Sequence, residues 1–324
     1  MLPMSLSVDP TTGRLLPSRS HADLLVLATV RLEVWAGDPD DGVRWHGTAF
    51  LVDDGDLELV TARHVLDGCS GFRFRLPLAD ADGHPLTGRT ESFQMERIET
   101  GLAWWPHPDP SVDVAAAWVG PLLRHAKRQG AKPALAPIPL GWVADQAFLD
   151  DLSTAQPVAF AGYPDEVALD GEVAVVRRGS TASHPGLRHG RSDGFLLDAQ
   201  VQPGASGSPV VLVNLAGVTR IVLGVVVARR VARRDTLDRA GAPVRSGVYL
   251  ESMGIGDVVP STAIREVIEE ARTVRDHYRA LCEAGHEGWA GVLHVDCPRC
   301  GGRCRGDGTE PPRWAALVRE RSAW

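Results

Sequence analysis

The chain has 324 residues, of which 44% are hydrophobic and 23% charged, the composition of a globular protein long enough for one large or two ordinary cores. Its net charge is −7 and its isoelectric point about 5.9, which argues against general binding to nucleic acid or to anionic membranes. Lys127 and Lys132 are the only lysines, so 32 of the 34 basic residues are arginine. With so much Ala, Gly and Asp, this reads as the usage of a GC-rich bacterial genome, and arginine clusters alone say little about function.

Residues 1–20 read as a flexible arm, without the basic start, long apolar core and small-residue cleavage site of a secretory leader. The apolar run Leu24 to Val30 is too short to span a bilayer. Cys69 stands alone and the other four cysteines fall between Cys282 and Cys304, which is no disulfide framework, so the expected location is the cytoplasm.

From Leu24 onward, short β-favouring runs alternate with turn residues. Val30–Trp35, Gly47–Val52 and Leu57–Thr61 read as strands, the last two joined by the hairpin turn Asp53-Asp54-Gly55-Asp56. Further strands are expected around Phe72–Leu76, Phe93–Ile98, Val112–Val119, Val158–Gly162 and Glu172–Arg177. Gly194–Val201, Val210–Val213 and Ile221–Ala228 complete the set. Many short strands with frequent Gly and Pro predict a mostly β protein, and two six-stranded barrels are one fit. Leu122–Lys127 could form a helical turn, and the prolines at 133, 137 and 139 suggest a connection between two halves. The first full helix signal begins at Ser261, where Ile264, Val267, Ile268, Ala271, Val274 and Tyr278 recur at three- and four-residue spacing.

Three passages carry chemistry. In Gln202-Pro203-Gly204-Ala205-Ser206-Gly207-Ser208-Pro209, glycines flank a serine, freeing the backbone to turn sharply so that a hydroxyl stands clear and amides converge. His64 lies just past the end of the third strand. Asp113 opens the apolar run Val114–Val119, with Asp109 a competing carboxylate in the same loop. The order His, Asp, Ser is that of the chymotrypsin-type triad.

On these passages, and on Gly254–Ser261 leading into the final helix, the sequence resembles bacterial trypsin-like serine peptidases of the chymotrypsin fold. The pattern is closest to an HtrA/Deg-like protease domain without its PDZ domain. The likeness spans about residues 28–275. It implies a chymotrypsin-like double β-barrel with a C-terminal helix, occupying residues 21–280, and a serine endopeptidase acting through an acyl-enzyme. Ser206 would be the nucleophile, His64 the general base and Asp113 its orienting carboxylate, with the oxyanion hole formed by the amides of Gly204 and Ser206. Ala205 stands where trypsin-type zymogens carry an Asp that pairs with a new N-terminus, so activation by N-terminal cleavage is not expected. The substrate would be a protein or peptide, with Gln200, Val226 and Ala228 near its side-chain pocket. The valines there favour a small apolar residue, whereas Arg229 and Arg230 could attract an acidic one.

The tail, residues 281–324, is Cys/His-rich. Cys297-Pro298-Arg299-Cys300 resembles a zinc-ribbon knuckle, and Cys282 with His286 would complete a tetrahedral structural zinc site, His294 and Cys304 being alternative ligands. No cofactor is expected for catalysis. Two other readings stay open: an enzyme kept latent until a regulatory protein partner engages it, and a catalytically idle trypsin-fold scaffold whose zinc tail binds protein or nucleic acid.

Overall fold

The computed structural model describes residues 21–38, 42–80, 85–96, 104–165, 173–187, 194–214, 217–237, 243–277, 279–282, 287–289 and 304–305. Helix α1 (His21–Ala28) leads into β1 (Thr29–Trp35), which pairs antiparallel with β2 (Trp45–Asp53). Strand expectation gave way to helix over the run from Leu24. Leu25 and Ala28, three apart, are both buried there, which suits helical periodicity.

A tight turn returns β2 to β3 (Leu57–Thr61), with Gly55 at φ 103 and its amide donating to Asp53 Oδ1 at 2.9 Å. A single helical turn, α2 (Arg63–Leu66), follows. Next come β4 (Gly71–Ala79), β5 (Pro85–Glu96), β6 (Trp104–Pro106) and β7 (Ala115–Trp118). These strands form a sheet in the order β5-β4-β1-β2-β3-β7-β6, curled around a core of Leu32, Leu51, Leu59, Phe72 and Phe74. It is a half-barrel rather than a closed six-stranded barrel.

Helix α3 (Gly120–Arg128), the two-residue strand β8 (Ile138–Pro139) and α4 (Gln146–Asp150) carry the chain across to the second half. Here β9 (Pro157–Gly162), β10 (Val175–Thr181), β11 (Phe195–Asp198), β12 (Pro209–Asn214), β13 (Gly217–Leu237) and β14 (Pro243–Pro260) close into a barrel. Its interior holds Phe160, Leu197, Val210, Leu223, Val226 and Val258. The ribbon β13–β14 runs well past the Ile221–Ala228 strand expected from sequence.

Helix α5 (Ser261–His277) follows β14 directly. Ile264, Val267, Ile268 and Ala271 are fully buried, and they join Phe50, Val60 and Ala116 of the first half with Ala159, Val211 and Val225 of the second in one cluster. Burying such aliphatic side chains stabilises by about 1.5–3 kcal/mol each, so α5 holds the two halves together. The whole is a chymotrypsin-like double β-barrel. Beyond α5, β15 (Arg279–Cys282), β16 (Glu287–Trp289) and β17 (Cys304–Arg305) form a small sheet in the order β16-β15-β17. Among the described residues, no helix is long and apolar enough to cross a membrane.

Candidate active site

The seam between the halves gathers the three chemical passages. Gly207, at φ 92, brings its backbone against β2 so closely that a Cβ there would lie 1.8 Å from the Thr48 carbonyl and 2.5 Å from Thr61 Oγ1. Only glycine permits both that conformation and that approach. Thr48 N donates to the Ser206 carbonyl at 2.8 Å, and Thr48 Oγ1 donates to the Gly204 carbonyl at 2.8 Å. The same hydroxyl accepts from Tyr163 N at 3.0 Å, so one buried threonine joins β2 to two loops of the other half.

Five amides follow one another through the turn. Those of Ala205, Gly207 and Ser208 donate to the carbonyls of Gln202, Val226 and Ala205 at 3.1, 2.7 and 3.0 Å. The amides of Gly204 and Ser206 donate to no acceptor among the described residues. Gly204 has φ 86, and a Cβ there would strike the Tyr163 carbonyl at 2.4 Å. Two amides two residues apart, left without partners in a glycine-shaped turn, are suited to hold a developing negative charge.

His64 sits on α2, one turn past the end of β3. Its Nδ1 lies 2.7 Å from Asp113 Oδ2, while its backbone amide donates to Asp113 Oδ1 at 2.8 Å. Asp113 is delivered by a turn just before β7, in which Val112 N donates to Asp109 O and His107 N to Val114 O. The strand expected from Val112 therefore begins only at Ala115. Asp109 is occupied locally, its Oδ1 accepting from the amide and hydroxyl of Ser111 at 2.9 and 2.7 Å.

The hydrogen bond with Asp113 raises the His64 pKa above the ordinary 6.5, outweighing the opposing effect of burial; the charges of Asp113 and Asp67 add to the rise. Burial by itself would push Asp113 up. The His64 side chain, charge and amide, with Arg63, together hold it below its ordinary value. A carboxylate on Nδ1 places the proton of neutral imidazole there and leaves Nε2 as the basic nitrogen. Ser206 Oγ does not hydrogen-bond to His64; it donates to the Val227 carbonyl at 3.4 Å. The structure thus joins the expected His and Asp, and sets the serine in the seam with its hydroxyl turned to β13.

Of the residues expected near a pocket, Val226 is fully buried in the second barrel core, its amide and carbonyl held by Ser208 and Gly207. Gln200 and Ala228 are exposed. Arg230 grips Asp257 through Nε and Nη2 at 3.1 and 2.8 Å, so its charge is matched, and Arg229 has no ion-pair partner among the described residues.

The sequence reading missed Thr48 and His107. His107, buried at the base of the Asp113 loop, accepts the Asp109 amide on Nδ1 at 3.1 Å and meets Glu266 of α5 through Nε2 at 2.8 Å. The partners of Thr48 lie in distant loops, and His107 joins its own loop at Asp109 to Glu266 of the distant α5, a link that nothing beside it in the sequence reveals. In the tail, His286, His294, Cys297 and Cys300 lie outside the described residues, while the backbone register sets Cys282 opposite Cys304. Among the described residues no group of His, Cys, Asp and Glu is arranged to hold a metal.

A model of the trypsin-like peptidase domain matches residues 47–217, just over half of the chain. No curated protein matches. Among solved structures, the chain is similar to the HtrA-type protease AlgW with a tripeptide, at 18% identity and TM-score 0.45, covering 81% of this chain and 66% of that one. It is also similar to an inactive mutant form of Rv3671c from M. tuberculosis H37Rv, at 19% identity and TM-score 0.42, covering 83% of this chain and 98% of that one.

Proposed function

Because the chain belongs to the trypsin-like peptidase domain family, we propose that it is a serine endopeptidase acting through His64, Asp113 and Ser206. The observation that carries this reading is the doubly bonded His64–Asp113 pair beside a serine turn with two unpartnered amides. In the reaction, Ser206 Oγ swings from the Val227 carbonyl to His64 Nε2, gives up its proton there and attacks the peptide carbonyl carbon. The Gly204 and Ser206 amides hold the resulting oxyanion, and His64 returns the proton to the leaving amine. Water then releases the acyl group by the same route reversed.

The hydroxyl's engagement with Val227 gives a second reading a specific footing: the enzyme rests latent until a partner or the substrate turns Ser206 toward His64. A single neutral hydrogen bond at 3.4 Å holds that orientation only weakly. The carbonyl it releases becomes available to substrate backbone.

The tail reading is separate. We propose that Cys282, His286, Cys297 and Cys300 bind one structural zinc ion. His294 and Cys304 are the alternative ligands, and the backbone register of β15 and β17 sets Cys304 opposite Cys282.

Labelling with a fluorophosphonate tests the catalytic assignment. Wild type, with or without a peptide activator, should be labelled at Ser206, and Ser206→Ala should not. Asp113→Asn separates tautomer from fold. Its Oδ1 can still accept the His64 amide, which turns its NH2 group toward Nδ1 and drives the ring proton to Nε2. Turnover should then fall about 10⁴-fold with stability nearly unchanged. Labelling that persists in Ser206→Ala, or moves to Ser208, refutes the assignment.

A further inference from the structure

Past Val225, β13 leaves β12 and continues beside β14 alone, the pairs running from Val226↔Val258 to Leu237↔Pro243. Among the described residues no strand pairs with its other edge. That open edge starts at the serine turn, where Gly207 N donates to the Val226 carbonyl at 2.7 Å and Ser206 Oγ to the Val227 carbonyl at 3.4 Å. A strand edge with nothing beside it is a template for another extended chain.

The two faces of the ribbon differ. Alternation puts Arg230, Ala232 and Arg234 on one face, where Arg230 is matched by Asp257 and Arg234 by Glu251 at 2.8 and 2.9 Å. Arg229, Val231 and Arg233 share the opposite face, with Ser252 across from Val231 and Leu250 across from Arg233. Neither Arg229 nor Arg233 has an ion-pair partner among the described residues. Between and beside them Val231 is 37% and Leu250 65% exposed. Edge arginines can serve only to deter aggregation, but that role does not explain why one face is neutralised by carboxylates and the other leaves two charges around exposed aliphatic side chains. Asp235, next on this face, marks the far end of the cationic stretch.

We propose that the β13 edge from Arg229 to Arg233 binds, by strand addition, an acidic segment of the substrate polypeptide upstream of the bond to be cut. The inference rests on the peptidase reading for the position of that bond. An added strand antiparallel to β13 runs from Arg233 toward Ser206, so the part lying on the ribbon precedes the scissile bond. Its side chains on the charged face meet Arg233, Val231 and Arg229 in turn, which selects the pattern acid-x-apolar-x-acid. At about 3.3 Å per residue, the four steps between these five positions extend about 13 Å along the ribbon. Main-chain pairing supplies sequence-tolerant affinity, and the two arginines supply the preference for acid.

The test uses the full chain carrying Ser206→Ala, so that nothing is cleaved, and two fluorescein-labelled peptides bearing Asp-x-Val-x-Asp or Asn-x-Val-x-Asn. Each exposed charge pair contributes about a two- to five-fold gain, so fluorescence anisotropy should show about ten-fold tighter binding of the acidic peptide at low salt. The gap should shrink as salt rises. Adding Arg233→Glu should remove most of the preference, and a Lys-x-Val-x-Asp peptide should recover binding to that variant. Equal affinities for the two peptides, no binding of either, or a preference untouched by Arg233→Glu overturns the proposal. So does a dimer in sedimentation that is lost on Arg233→Glu, because a second copy would then occupy the edge. Binding here is read without the nucleophile, so this result and the labelling of Ser206 can fail independently.

Discussion

Thr48→Val removes a single oxygen and asks how far the active turn depends on it. The Thr48 side chain is fully buried and its hydroxyl serves two backbone groups, the Gly204 carbonyl at 2.8 Å and the Tyr163 amide at 3.0 Å. Valine fills nearly the same volume, so no cavity accompanies the change. Both backbone groups would be left unpaired, the Tyr163 amide buried and the Gly204 carbonyl partly so, at up to about 1–3 kcal/mol each, or about 2–6 kcal/mol together. We expect a loss near the middle of that range in urea or guanidinium denaturation. Gly204 would also lose the bond that fixes its carbonyl, and its amide is one of the two proposed to hold the oxyanion, so on that proposal kcat/KM should fall by more than ten-fold in the folded protein. Thr48→Ser keeps the hydroxyl and loses only a methyl group, so it should recover most of both effects. A Thr48→Val protein within about 0.5 kcal/mol of wild type and with unchanged kcat/KM refutes the argument.

Three further outcomes follow from named contacts. In the proposed mechanism His64 acts as base only when neutral, and the hydrogen bond to Asp113 raises its pKa, so kcat/KM should fall as pH drops through a value above the ordinary 6.5. An acid limb below 6.5 in the pH–rate profile contradicts this assignment. Ser208 is fully buried, and its Oγ has no hydrogen-bond partner among the described residues. Ser208→Ala should therefore leave stability unchanged or raise it by about 1 kcal/mol in denaturant titration, with labelling at Ser206 intact. Purified full chain should carry about one zinc ion by elemental analysis; metal-free protein, or stoichiometric zinc retained after deletion of residues 281–324, rules out the tail site.

Most strands were legible because their apolar residues alternate and their ends carry Gly, Asp or Pro. The hairpin at Asp53–Asp56 and the helix from Ser261 were equally plain, each fixed by local chemistry. What stayed hidden depends on partners far away in the chain. The run from Leu24 is short and apolar, and its choice of helix over strand is decided by burial of Leu25 and Ala28 against the seam. The length of β13 was hidden too, because its arginine-rich second half does not alternate between apolar and polar and draws its order from β14. His64, Asp113 and Ser206 could be read as a set from their settings, Asp113 being preferred to Asp109 for the apolar run behind it, whereas the backbone turn that aims Asp113 at His64 and ties Asp109 to Ser111 was not legible. Thr48 could not be found at all, since nothing beside it in the sequence reveals the carbonyl and amide it serves.

The bonds at Thr48 link residues 156 and 115 positions apart, whereas His64 and Asp113 are separated by 49 and lie wholly within the first half. During synthesis His64 and Asp113 can therefore come together long before Ser206 has been made. The serine turn takes its shape from β2, so it is completed only when the second barrel docks, a step that α5 then secures. Under the proposed mechanism a nascent or half-folded chain would accordingly be chemically silent. Appearance of probe reactivity during refolding should lag the burial of tryptophan in the first half, making the site its own reporter of a late, long-range assembly event.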